Sequence, residues 1–565
     1  MIPWTISDDR ASVPTTAAAR SHPATAGPPA RGRRPRLASL PGALRWSAAA
    51  LGLAGIAGYL VLALLRIGYP FALELLESNS LVEVHRILAG QPLYAAPSVS
   101  YVADGYPPLY FGVAAAVASV LGQSYLALRL VSLLSSLACF AITARLVQRE
   151  TGSLAAGTAA AGLLAATYSA TSSWFDVGRV DSLFLALSIA GLYAARWARR
   201  PSGAIITGLL LAAAFLTKQT GLAEGVAVLG ALGCGPRRRL ALLAAGVYAA
   251  VVGMSTLGLG LASHGWYVYY VFEQMGEHAL SSAAAGQFLT RYLLPTLGIA
   301  VAAAVVGARR MPLVLLAGCL ALAAESLAAL VHTGGGVNDM LPAYLVVALL
   351  AGLALGGRPE PATASASRYA TLLAGGLVVA QLGVLATGFH PGAAIPRPAD
   401  RVAGSRLTAG LRALGGTIAV PADPALALMA GLPATEDQLA AVDVLRASDP
   451  VAKADFTRSV AREVAAKGFT VIITEIDGDL RGFPSDLPRY YHRCPQMPLA
   501  GIQPAPFRPS AALQPVSFWL PVGRGSCATV ARTLGASPPQ PGTQGTQGTE
   551  STQGTLGTLG TQGGS

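Results

Sequence analysis

Four carboxylates and a histidine crowd one short stretch of an otherwise apolar chain: Glu74, Glu77, Glu83, Asp104 and His85, all but Asp104 inside the run Glu74-Leu-Leu-Glu77-Ser-Asn-Ser-Leu-Val-Glu83-Val-His85. A carboxylate held just beyond a membrane-crossing helix can take the proton from a hydroxyl that arrives from outside. Further along, Arg179 and Asp181 flank the start of an apolar run, with Asp176 just before them. The segment His332-Thr-Gly-Gly-Gly-Val-Asn338-Asp339 places successive glycines between polar residues. Backbone N–H groups in such a loop can approach an anionic or sugar ligand closely. The same residues also admit structural roles: solvated loop acids, a helix-orienting ion pair and a plain tight turn.

What must position these groups is a set of membrane helices. The 565 residues are 53% hydrophobic and only 12% charged, with a mean hydropathy of +0.51. Several runs are long and uncharged enough to cross a hydrocarbon core of about 30 Å. The net charge of +12 does not point to nucleic acid, because the basic residues are scattered over short turns where the positive-inside rule accounts for them.

Those turns set the topology. The segment from Pro107 to Gly122 offers only about 14 apolar residues, short for a crossing. Threading it through would put Arg145, Arg149 and the Arg196–Arg200 cluster outside, so it is read as a juxtamembrane helix on the outer interface. The remaining runs alternate: 46–65, 125–148, 154–171, 180–195, 202–217, 219–234, 240–263, 291–307, 312–331, 340–357 and 369–388. Arg237–Arg239, Arg309, Arg310, Arg358 and Arg368 then fall inside with the earlier clusters. The expectation is a polytopic α-helical protein of about eleven spans, with the N-terminus cytoplasmic and the C-terminus outside the cell membrane. The acid-rich stretch, the start of the 180–195 span and the glycine loop all fall outside. Glu273, Glu277 and His278, in the longer outer loop 264–290, read as solvated; they would hold a divalent ion only if they converged.

Residues 1–45, with arginines at 31, 33, 34 and 36, read as a disordered cytoplasmic tail, and 537–565, repeating Gly-Thr-Gln, as a second disordered tail. The first apolar run begins too late and runs too long for a cleaved signal, so it reads as an anchor. Residues 391–536 carry soluble patterns. Asp449-Pro450 opens a helix that Gly468 closes, and Phe469–Thr474 is a buried strand, so a small exported α/β domain is expected. Cys139, Cys234 and Cys319 read as packing residues, Cys494 and Cys527 as a pair that an oxidising compartment could join. No Cys/His spacing resembles a zinc site, and no metal or cofactor is assigned.

Residues 46–390 resemble the GT-C membrane glycosyltransferases, in particular the group of protein O-mannosyltransferases, aminoarabinose transferases and rhizobial lipopolysaccharide sugar transferases. The resemblance rests on the acidic first loop, Gly90-Gln-Pro-Leu-Tyr94, Tyr106-Pro-Pro-Leu-Tyr110, Arg129, Gly178-Arg179-Val-Asp181, Leu216-Thr-Lys218-Gln and Gly334-Gly-Gly-Val-Asn338-Asp339. It implies transfer of a sugar from a polyprenyl-phosphate donor to a lipid, glycan or protein acceptor, with a first-loop carboxylate as base. Glu77 stands at the position most like that carboxylate, and Glu74 is the alternative, since Leu-Leu-Glu-Ser-Asn departs from the acid pair or Gly-Glu-Gly pattern of the family. The donor phosphate would need cations at the outer boundary. Arg129, Arg179 and Lys218 are placed there, arginine offering a bidentate fork and lysine a compact charge. Asp181 would aim Arg179, and His332, Asn338 and Asp339 would bind the sugar head. A flippase or transporter for lipid-linked sugars would share this hydropathy, but the chain lacks the repeated halves many carriers show; a non-catalytic membrane scaffold is the remaining class.

Overall fold

The computed structural model describes residues 40–309, 311–357, 364–474, 480–494 and 517–535. Most of the expected N-terminal tail, all of the C-terminal one, Arg310 and Arg358 lie outside the described residues. The membrane part consists of α1 (Leu40–Ile67), α2 (Leu75–Leu88), α3 (Leu109–Leu121), α4 (Tyr125–Thr151), α5 (Leu154–Ala166), α6 (Val180–Trp197), α7 (Pro201–Thr217), α8 (Gly221–Gly233), α9 (Arg238–Ala262), α10 (Leu294–Ala308), α11 (Leu313–Val331), α12 (Leu341–Gly356) and α13 (Ala364–Thr387). A helix stands at each of the expected spans. Among the described residues eight are long and apolar enough to cross a membrane, counting α10 with the helical stretch from Ser282 and α12 with the helical turn from Val337. Helices α5, α7 and α8, of 13, 17 and 13 residues, are shorter. The chain is an integral membrane protein.

Local chemistry sets the breaks. Gly152 ends α4 in the left-handed region at φ +74°, Ser153 then caps α5 through Ala156 N, and Pro201 opens α7 at a position that needs no N–H donor. Helix α12 is the most deeply buried of the candidate spans, and α9 the least. Leu242, Met254, Leu257 and Leu261 on α9 therefore face outward. Helices α1 and α5 meet backbone to backbone: a Cβ on Gly162 would lie 2.1 Å from the Gly52 Cα, the small-residue contact that lets membrane helices approach.

One segment differs from the sequence reading. The acid-rich stretch, expected as a loop, forms α2, with Glu74 as N-cap accepting from Leu76 N at 3.0 Å. Helix α3 is present where the juxtamembrane helix was expected.

The C-terminal lobe begins with α14 (Pro398–Leu414) and carries a four-stranded sheet of order β1-β2-β4-β3. Strand β1 (Thr417–Ala419) runs parallel to β2 (Phe469–Thr474). The crossover between them contains α15 (Gln438–Arg446) and α16 (Pro450–Ala465). Strands β3 (Tyr491–Arg493) and β4 (Ser517–Pro521) pair antiparallel, β4 also with β2. Asp449 caps α16 through Val451 N and Ala452 N. The left-handed residue at its far end is Lys467 (φ +53°) rather than Gly468, whose N–H reaches Glu463 O at 3.0 Å. Cys494 and Cys527 form a disulfide; Cys139 and Cys319 are buried as packing residues, whereas Cys234 is exposed. The lobe is packed on the membrane part: Tyr69 and Phe71 between α1 and α2 share a buried cluster with Leu407, Ile418 and Phe518.

Candidate active site at the ends of α2, α6 and α7

The expected residues separate into a buried brace and a shallower network. Glu77, in the first turn of α2, has no exposed surface. One oxygen accepts from Arg129 Nε at 2.7 Å and Gly178 N at 2.6 Å, the other from Arg129 Nη2 and Leu73 N at 2.7 Å each. Arg129, also fully buried, donates its remaining hydrogens to the Arg66, Tyr69 and Phe71 carbonyls. Burial alone would push the Glu77 carboxyl up, but the Arg129 charge and the two amides outweigh it and hold it below the usual carboxylate range. Gly178 is required here, because a Cβ there would sit 2.8 Å from Leu128 Cβ. Glu77 and Arg129, expected as base and phosphate cation, are each other's partners and tie the α1–α2 link to α4 and to the turn before α6.

Above the brace, Glu74 Oε2 accepts from Arg179 Nη1 at 3.1 Å, and no hydrogen bond to its Oε1 occurs among the described residues. Burial raises its carboxyl above the ordinary value despite Arg179. Arg179, with Trp174 stacked on it at 4.6 Å, donates from Nε to Asp181 Oδ2 at 3.1 Å. The other oxygen of Asp181 lies 3.5 Å from Lys218 Nζ. Lys218 stands where α7 breaks, also 3.4 Å from Asp339 Oδ1 and 3.6 Å from Glu325 Oε1. Asn338 Nδ2 bridges Asp181 and Asp339 at 3.2 and 3.3 Å, and Asp339 Oδ2 accepts Gly336 N at 2.9 Å. Glu74, Arg179, Asp181, Lys218, Asn338 and Asp339, far apart in sequence, thus form one continuous network. All of them are buried.

His332 is not part of it; its ring lies beside His278, 6.2 Å between centroids. Burial, then His278, lowers its basicity. Asp176, expected beside Arg179, instead pairs with Arg66 at 3.1 Å. Glu273, Glu277 and His278 do not converge: Glu277 is held by Ser448 and His278 by Asp443, both in the lobe. That corrects the reading of Glu277 and His278 as merely solvated. Sequence reasoning missed Arg66 and Glu325. A single charge inside an uncharged span is the signal that would have found Glu325.

The comparisons with known proteins bear on the fold. Residues 106–266 match the family described as dolichyl-phosphate-mannose-protein mannosyltransferase. No curated protein matches the chain. Among solved structures, the apo form of ArnT from Cupriavidus metallidurans aligns with a TM-score of 0.52 at 14% identity, covering 75% of this chain and 93% of that one. The form of that protein bound to undecaprenyl phosphate aligns with a TM-score of 0.51 at the same identity and coverage. The chain has the GT-C fold of membrane glycosyltransferases.

Proposed function

We propose that this protein transfers a sugar from a polyprenyl-phosphate donor to an acceptor hydroxyl on the outer face of the cell membrane. The observation that carries the reading is the network joining Glu74, Arg179, Asp181 and Lys218, a carboxylate with raised proton affinity beside two cations. ArnT, of similar fold, was solved with undecaprenyl phosphate; in this chain a polyprenyl phosphate would be the departing half of the donor.

Glu74 takes the proton of the acceptor hydroxyl, and the oxygen attacks the anomeric carbon. The bond from that carbon to the phosphate oxygen breaks, and its electron pair leaves with the lipid phosphate. Arg179 offers a planar fork to that charge and Lys218 a compact one, in a site shielded from water. A single displacement inverts the anomeric centre. Asp181 aims both cations, and Glu77 with Arg129 fixes the start of α2 so that Glu74 stands opposite Arg179. The arginines at 145, 149, 196, 199, 200 and 237–239 lie at the opposite helix ends, which supports an outward-facing site and lobe and a cytoplasmic N-terminus.

The test is incubation of membranes with a panel of labelled polyprenyl-phosphate sugars, following label into lipid, glycan and protein. Wild type should transfer one of them. Glu74→Gln should lower turnover by roughly 10²–10⁴-fold with donor binding retained. Near-normal turnover in that variant would remove Glu74 as the base.

A further inference from the structure

We propose that the C-terminal lobe holds a redox-gated site for a thiophilic divalent metal ion such as zinc, formed by His492, Cys494 and Cys527 once the disulfide is reduced. Nothing in the transfer reaction uses these residues. His492 lies on β3 and Cys494 directly follows its last residue, while Cys527 opens the helix α17 (Cys527–Thr533) from beyond β4. The side-chain donor atoms of all three lie within 4.8 Å of one another, and His492 Nε2 is 3.6 Å from Cys527 Sγ.

Three features favour a metal ion over a chance neighbourhood. The Cα atoms of the two cysteines are 5.6 Å apart, close enough for both thiolates to reach one ion without rearranging the strand or helix, given Zn–S bonds of about 2.3 Å. The third donor is an imidazole, which with two thiolates makes a ligand set used by zinc and not by calcium or magnesium. Two thiolates also neutralise a divalent ion, so the site carries no net buried charge. Cys494 is buried, Cys527 half-buried and His492 exposed, with Gly525 and Ser526 exposed beside them. The fourth coordination position therefore faces solvent, as in zinc sites that keep an exchangeable ligand.

A protein dithiol supplies two electrons and two protons. The S–S bond opens to two thiols and the reductant leaves as its own disulfide. The metal ion then displaces both thiol protons and bonds the two thiolates and the neutral His492 Nε2. In either state β3 stays fastened to α17, by a covalent bond or by the ion.

The test uses the full chain in detergent with Cys234→Ser, which removes the exposed free thiol. Zinc competition against a chromophoric chelator should give one bound ion after phosphine reduction and none before it. His492→Ala, an exposed change, should weaken binding about 100-fold or more, since losing even an outer partner of a zinc ligand costs 10–100-fold. Equal binding before and after reduction, or unchanged affinity in His492→Ala, would overturn the proposal. So would loss of the lobe's protease resistance on reduction that zinc fails to restore.

Discussion

At the scale of single residues, the distinction between Glu74 and Glu77 separates chemistry from architecture. Glu77 accepts four hydrogen bonds and faces a buried arginine, so Glu77→Gln leaves an uncompensated charge on Arg129. Loss of about 3–5 kcal/mol of stability is expected. A double variant, Glu77→Gln with Arg129→Met, should recover part of it, because the apolar replacement removes the orphaned charge. Thermal unfolding in detergent reads both, and a double variant no more stable than Glu77→Gln alone would contradict the brace. Asp339 differs again. Lys218 faces three carboxylates, Asp181, Glu325 and Asp339, and an incoming phosphate competes with them. Asp339→Asn keeps an oxygen for Gly336 N while removing one negative charge. Polyprenyl-phosphate affinity should rise about fivefold, the equivalent of about 1 kcal/mol between screened charges. Weaker lipid binding in that variant would mean that Asp339 helps to hold the donor rather than guarding Lys218.

At the scale of elements, hydropathy and arginine placement were enough to locate the apolar spans, because each is a long uncharged run with its own boundary. The helix α2 was not legible for a physical reason. Its buried residues include Glu77, Ser78, Asn79, Ser80 and Glu83, so it shows no apolar stripe, and only contact with other polar elements makes it a helix. The candidate site was partly legible: Arg179, Asp181 and Lys218 could be picked out as charges at span ends. The pairing of Glu77 with Arg129, 52 residues away, leaves no local trace. The same polar face of α2 meets the lobe along a seam of acids. Ser78 Oγ donates to Asp423 Oδ1 at 2.6 Å, and Glu436 N reaches Val99 O at 3.0 Å. Burial raises Asp104 to about 6, Asp423 to about 7 and Glu436 to about 8, and lifts Glu83 and Asp437 well above their ordinary range. Arg86, stacked on Tyr101, and Arg179, near Asp104, are the cations facing the seam. The docked state therefore holds more protons than the undocked one. Docking is strongest below the exposed carboxyl values near ~4 and is lost progressively as pH rises through the docked values of about 6–8. Hydrogen exchange in α15 should speed up from pH 5.5 to 8.5 beyond its intrinsic pH dependence. Asp423→Asn with Glu436→Gln should flatten that trend. Protection that grows with pH would reverse the sign and refute the seam.

At the scale of the whole molecule, everything proposed for the site depends on which side of the bilayer it occupies. The fold places Glu74, Arg179 and Lys218 at one set of helix ends and the arginine-bearing turns at the other, but orientation follows only from the positive-inside rule. Two positions can decide it without disturbing the site. Cys234 is an exposed thiol at the arginine-rich turn between α8 and α9, while Cys139 and Cys319 are buried. In intact cells a membrane-impermeant maleimide should leave Cys234 unlabelled, and inverted vesicles should label it. Ser405, exposed on α14 of the lobe, should show the opposite pattern as Ser405→Cys in a Cys234→Ser background. Labelling of Cys234 from outside, with Ser405→Cys protected there, would turn the molecule over. The donor phosphate, acceptor and lobe would then all have to be sought on the cytoplasmic face.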